Sequence, residues 1–189
     1  VSESRPSSKP DLSEFEKSAR QAKVAYRQST VRESLVEHMF LAEIMQEAWI
    51  NREQVVEVLK ADVDAFGYDL VLECNGILRH VQLKTSEATG KTSQQTINIA
   101  LAEKEKACVV WVVLDRDSER GRFKMAYRYF GGQKPDDPMP TLGDVVGVNP
   151  LSKRPRDNTR IVKKNRFDRI ETMAQLLDRM FGAPSSQFD

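Results

Sequence analysis

Three side chains close together in the sequence have the types needed for metal-assisted hydrolysis: Asp69, Gln82 and Lys84. A carboxylate and an amide oxygen are hard donors that suit Mg²⁺ or Mn²⁺. An ammonium beside them would orient a water or stabilise charge developing in a transition state. Their convergence depends on the stretch from Gly67 to Lys84, GYDLVLECNGILRHVQLK. It reads as two strands joined by Asn75-Gly76, a dipeptide suited to a two-residue turn in which both residues take positive φ. Such a turn fixes the register. Cys74 faces Ile77, Leu72 faces Arg79, Leu70 faces Val81 and Asp69 faces Gln82. Side chains alternate along a strand, so Leu70, Leu72, Cys74, Ile77, Val81 and Leu83 share a core face. Asp69, Val71, Glu73, Leu78, His80, Gln82 and Lys84 share the other. The carboxylate, the amide and the ammonium therefore meet at the open end of the hairpin.

This constellation, Asp followed on the next strand by Gln-x-Lys, resembles the PD-(D/E)XK nuclease superfamily. The matching residues are Tyr68-Asp69 and Gln82-Leu83-Lys84. Tyr68 stands where the family name has Pro, and Gln82 stands where Glu or Asp is more usual. The resemblance covers about residues 30 to 115. It implies an α/β fold: a restriction-endonuclease-like mixed β-sheet core flanked by helices, extended by an N-terminal helix and a C-terminal strand and helix. It implies a Mg²⁺- or Mn²⁺-dependent phosphodiesterase, with Asp69, Gln82, the Leu83 carbonyl and Glu37 as metal ligands. Glu37, Asp69, Gln82 and Lys84 would be its catalytic residues.

Glu37 enters through the helix that such proteins carry before the first strand. Thr30 and Glu33 have capping-box spacing, so a helix is expected to begin there. Leu35, Met39, Ala42 and Met45 follow a helical period. Resolvase-like members place the Glu about three turns before a Gly-aromatic pair that ends the helix. Ala48-Trp49 resembles that pair, which favours Glu37 over Glu43 and Glu47. A solvated helix face is the plainer reading of all three.

Net charge is only +1 over 189 residues, so any attraction for nucleic acid must come from clustering. The stretch from Lys153 to Arg169 supplies it, with Lys153, Arg154, Arg156, Arg160, Lys163, Lys164, Arg166 and Arg169 opposed only by Asp157 and Asp168. Such a cluster would neutralise phosphates, and DNA is the expected partner. A solubilising loop is the plainer reading. A second copy of the chain is a further partner, since many proteins of this superfamily cut duplexes as dimers. The alternative function is a nuclease-like domain that binds nucleic acid or a protein without cutting, which the neutral Gln82 favours.

Competing chemistry fails on spacing. Ala88 to Ser93, ATGKTS, lacks the first Gly of a phosphate-binding loop, since position 85 is Thr85. Cys74 and His80 point to opposite hairpin faces, which argues against zinc. Cys74 and Cys108 sit in apolar surroundings as small core residues. No apolar run is long enough for a transmembrane helix. With no visible secretory signal, a cytoplasmic location is the default.

The organisation expected is a disordered tail over 1–11, one nuclease-like domain over 12–182 and a short tail over 183–189. Asp11 to Arg27 reads as a helix with Phe15, Ala19, Ala22 and Tyr26 on one side. Strands are expected near Val55 to Leu59, at Ala107 to Asp115, at Arg122 to Phe130 and at Thr159 to Val162. Thr96 to Lys106 fits either a strand or a helix. Asp62 and Asp64 are candidates to support the site from the preceding turn. Thr172 to Phe181 reads as an amphipathic helix stopped by Gly182 and Pro184.

Overall fold

A computed structural model describes the backbone of residues 12–60, 66–149 and 152–184, and side chains from residue 29 onward. The expected terminal tails, except 183–184, lie outside the described residues, as do Asp62, Asp64 and the side chains of the first helical turns. The chain divides into two compact units, Val1–His38 and Met39–Asp189.

The described residues of the first unit are helical. Helix α1 runs unbroken over Leu12–Arg52, so the helix expected to begin at Thr30 continues one that started earlier. Glu33 is engaged one turn back, accepting a hydrogen bond from Ser29 Oγ at 2.9 Å. Thr30 is interior to the helix, and its spacing from Glu33 caps nothing.

The second unit is mixed α/β. It begins with the last turns of α1, whose Phe40, Ile44 and Ala48 are buried at a spacing of four residues. That helix ends at Arg52, past the expected stop at Ala48-Trp49. Glu53 takes φ 55° and Gln54 N–H bonds back to the Ala48 carbonyl at 3.0 Å.

Nine strands follow among the described residues: β1 (Glu57–Lys60), β2 (Leu70–Cys74), β3 (Ile77–Glu87), β4 (Gln94–Asn98), β5 (Cys108–Asp117), β6 (Arg122–Phe130), β7 (Val146–Val148), β8 (Pro155–Lys163) and β9 (Asp168–Ile170). Helix α2 (Ile99–Ala102) follows β4 directly, so the ambiguous segment is both strand and helix. Helix α3 (Met173–Phe181) is capped by Thr172, whose side chain accepts from Gln175 N–H, and it stops at Gly182 with φ 86°.

Six strands form one mixed sheet in the order β1-β2-β3-β5-β6-β9; three form a second in the order β4-β8-β7. Only β3 and β5 pair in parallel within the large sheet. They are its two central strands. Accordingly β5 reads CVVWVV and is buried on both faces. One face is covered by the end of α1 and by α3; Phe40 packs on Tyr127 with ring centroids 6.1 Å apart. Over the other face lies the second sheet, and Val109, Trp111 and Phe130 share a core with Ile97, Val162 and Phe167.

On the first face sits a side chain that apolar patterning passes over. Arg79 is fully buried. Its Nε donates to the Met180 carbonyl at 2.6 Å, Nη1 to Lys106 at 3.2 Å, and Nη2 to Pro135 at 2.8 Å and Arg179 at 3.4 Å. A cation thus meets the negative end of α3 and also ties β3 to the loop before β5. Replacing Arg79 by Met leaves several buried carbonyls without a donor, at roughly 1–3 kcal/mol each when uncompensated. Urea titration should show a loss of about 3 kcal/mol or more, and Arg79→Lys should recover only part of it, because an ammonium cannot span the fork.

Candidate active site

The hairpin turn builds the site. Asn75 and Gly76 take φ 53° and 75°, the two left-handed residues that the dipeptide demands. The register follows, with Cys74 opposite Ile77, Leu72 opposite Arg79 and Leu70 opposite Val81. The paired register ends at Leu70 and Val81: Asp69 lies just outside β2, and its N–H donates at 2.9 Å to the carbonyl of Val81, the partner of Leu70, so the expected pairing of Asp69 with Gln82 is replaced by a one-residue shift. The Asp69 carboxylate then reaches along the neighbouring strand, where Oδ2 accepts the Leu83 N–H at 2.6 Å. That bond fixes one carboxylate oxygen against β3. The N–H and C=O of one strand residue project the same way, so the Leu83 carbonyl points to the Asp69 side as well.

Gln82 sits beside them, only 5% exposed. Its Oε1 is buried and has no hydrogen-bond partner in the protein. A buried acceptor without a donor costs on the order of 1–3 kcal/mol, so the position is held at a cost. Lys84 is half-buried two residues on, and its strand partner in β5 is Trp111. Trp111 donates from Nε1 to Ser86 Oγ at 2.9 Å, which anchors the indole on the same face.

Gly67 sets the approach to Asp69. It has φ 74°, and a Cβ placed there would fall 2.5 Å from the Asn98 Cβ. Only glycine lets the β4 end and the Asp69 segment come this close. Asn98 is also the cap of α2, accepting the Ala100 N–H at 3.1 Å. Neither residue carries a local signal for this role; their contact is long-range.

The acidic helix residues are distributed as follows. Glu37 is half-buried on α1, within the first unit. Glu43 accepts the Tyr127 hydroxyl at 2.6 Å. Burial and the Glu43 carboxylate together push the Tyr127 phenol well above its usual range. Tyr127 lies opposite Val112, on the face that Trp111 does not use, so Glu43 serves the side of the sheet away from Gln82. Glu47 accepts from Asn51 Nδ2 at 2.7 Å.

The basic stretch, expected as a loop with one short strand, is largely β8, the central strand of the small sheet, and the 3-10 turn Lys164–Arg166 after it. Its members differ in what they hold. Arg166 donates to the Leu142 and Thr141 carbonyls at 2.9 and 2.6 Å, with its guanidinium 5.2 Å from the Phe130 centroid. Arg160 donates to the Asp157 and Thr159 carbonyls. Lys153, Arg154, Arg156 and Lys163 are exposed. Lys164 is exposed too, with Nζ 6.0 Å from the Trp111 ring, which brings one cation of the stretch next to the strand partner of Lys84.

A cavity of about 430 Å³ lies elsewhere, among Glu43, Tyr127, Arg128, Lys164 and Thr172. None of Asp69, Gln82 or Lys84 lines it. Among the described residues no three His, Cys, Asp or Glu side chains cluster as a metal set. The Asp69 site is of a different kind, with one carboxylate supplemented by neutral oxygens. Hard neutral oxygens also suit Mg²⁺, and the unpartnered Gln82 Oε1 is an atom that a cation would satisfy. Both cysteines are free and buried, as expected, and burial pushes the Cys108 thiol up to about 12. No helix among the described residues is long and apolar enough to cross a membrane.

Comparison with protein-family models, curated proteins and solved structures finds no match for this chain.

If Gln82 is kept for a ligand, removing its amide should help the ligand-free fold. Gln82→Met should raise metal-free stability by about 1 kcal/mol, because a buried unpaired acceptor is exchanged for an apolar group of similar volume. Urea unfolding in a chelator, compared with wild type, checks this.

Proposed function

We propose that the chain is a metal-dependent nuclease that hydrolyses phosphodiester bonds, with DNA as its substrate. The observation that carries this reading is the buried, unpartnered Oε1 of Gln82 beside an Asp69 carboxylate fixed to β3. The mixed sheet with its hairpin next to a parallel strand pair suits a restriction-endonuclease-like core, and that finer fold assignment belongs to the proposal. Asp69, Gln82 Oε1 and the Leu83 carbonyl would hold the cation. Glu37, the further carboxylate that the resemblance implies, belongs to the first unit.

A bound Mg²⁺ or Mn²⁺ supplies a Lewis acid and a water of lowered pKa. The chain's own groups do the rest. Leu83 N–H fixes one Asp69 oxygen, so the carboxylate need not reorganise when substrate arrives. Lys84 directs its ammonium toward the attacking water or the phosphoryl oxygens, where charge grows as the bond to the leaving oxygen breaks. Trp111, anchored on Ser86, walls the site beside Lys84. Lys163, Lys164 and the exposed Lys153, Arg154 and Arg156 would contact phosphates away from the cut. Arg160 and Arg166 contribute mainly by shaping β8 and the turn after it, since their guanidinium groups already bind main-chain carbonyls.

A second reading has an observation in its favour. The site draws on one carboxylate within the second unit, and a domain that binds nucleic acid without cutting would need no more. Mn²⁺ binding separates the two: a nuclease binds it through Asp69 and loses it in Asp69→Ala.

The direct test is incubation of plasmid, linear duplex, single strand and RNA with the protein and Mg²⁺ or Mn²⁺. Cleavage should appear with wild type and vanish with Asp69→Ala and Lys84→Ala. Lys84→Ala should still bind nucleic acid nearly as wild type, because its interaction strengthens in the transition state. The double replacement of Lys163 and Lys164 by Ala should weaken binding and flatten its salt dependence, by about 0.9 in log–log slope for each phosphate that is no longer neutralised. Cleavage by Lys84→Ala at the wild-type rate removes the catalytic assignment.

A further inference from the structure

Two residues before Tyr68, Phe66 leaves half its surface (50%) open to solvent. Its ring is nonetheless held in place. It lies near-parallel to Tyr68, at 14° with centroids 6.3 Å apart, and Tyr68 meets the His80 ring edge-on at 4.9 Å. Lys104 Nζ lies 4.3 Å from the Phe66 centroid and 5.9 Å from that of Tyr68. His80 is tethered in turn, with Nδ1 3.2 Å from the Glu105 carbonyl. An aromatic surface with a cation beside it therefore abuts the Asp69 segment.

Its position follows from the backbone. Phe66 and Asp69 are three residues apart, so their Cα atoms are at most about 11 Å apart. His80 precedes Gln82 by two residues on the same face of β3, about 7 Å along the strand. Lys84 is the same distance beyond Gln82. Through Tyr68 and His80 the aromatic group sits against β3 beside the Asp69 segment, within the reach of a single nucleotide from phosphate to base.

We propose that Phe66, supported by Tyr68 and Lys104, is a stacking platform for an unpaired nucleobase next to the phosphate held at Asp69. The inference rests on the nuclease reading for what Asp69 holds, and it narrows the substrate to single strands or to duplexes with an unpaired or splayed nucleotide. Paired bases have their faces covered by neighbours in the stack, so a duplex has no π-face to offer. An aromatic ring binds any base by its face, which makes the interaction tolerant of sequence. Lys104 adds a cation for the adjoining phosphate.

The test measures binding in a chelator, where no cutting occurs. A short labelled single strand and a blunt duplex of the same sequence are titrated with wild type, Phe66→Ala and Phe66→Trp. Phe66→Ala should weaken single-strand binding about fivefold or more and change duplex binding by less than about twofold. Phe66→Trp should restore or tighten it, and a 2-aminopurine in the strand should be quenched by wild type and not by Phe66→Ala. Equal effects on both ligands, no effect, or absence of single-strand binding by wild type would overturn the platform. Cleavage assayed separately with Mg²⁺ keeps the two readings apart. Asp69-dependent cutting without the Phe66 difference sinks the platform alone; the Phe66 difference without cutting sinks the nuclease and leaves a base-binding surface.

Discussion

A guanidinium hydrogen-bonded to backbone carbonyls holds β3, one of the two central strands of this fold, in place. Arg79 is buried among backbone carbonyls from α3, from the loop at Pro135 and from the residue that precedes Ala107 and Cys108. Burying a charge is expensive unless its donors are used, and here each guanidinium nitrogen finds at least one acceptor. Carbonyl dipoles, two of them at the negative end of a helix, replace the counter-ion. The consequence reaches the site because Arg79 and Gln82 share β3. A strand clamped on one face by three segments keeps its register on the other.

The two faces of β3 therefore carry opposite arrangements. On one, Arg79 satisfies groups that would otherwise be orphaned. On the other, Gln82 leaves its own acceptor unsatisfied within a packed layer. Unsatisfied buried groups concentrate where a ligand completes them, and the inference runs from the observed orphan to the function. Gly67 belongs to the same arrangement, since its positive φ and missing side chain bring its own backbone, two residues before Asp69, against Asn98.

What the sequence made legible was local. Asn75-Gly76 determines a turn whose chemistry needs no distant partner, so the pairing of β2 with β3 could be worked out residue by residue. The apolar run of β5 and the Gly182 stop of α3 are of the same kind. Arg79 was not legible, because an arginine at an inward position looks like an exception until the carbonyls it meets are known, and those lie up to 101 residues away. Strands β7 and β9, three residues each, exist through their partners and have no periodicity to read. The start expected at Thr30 failed because a capping box marks a helix end only when the chain before it is not already helical. The basic stretch read as a loop with one short strand since β8 shows no alternation to read: its first four residues are exposed, and only Thr159 and Val162 are buried.

The neutral amide at position 82 has an electrostatic logic. A glutamate there would be a second carboxylate, nearly buried, beside Asp69. Desolvation and like charge both disfavour that state in the metal-free protein, and one of the two groups would tend to take a proton. Glutamine avoids the conflict. One carboxylate and one ammonium, Asp69 and Lys84, then leave the metal-free site close to neutral. In the proposed metal site the cost would fall on cation affinity, since an amide oxygen offers a dipole where a carboxylate offers a charge. A site built this way depends more on preorganisation than on charge. That places the weight on the Leu83 N–H that fixes Asp69 and on the Arg79 clamp that holds β3 still: remove the clamp, and the donors lose the geometry that compensates for the missing charge.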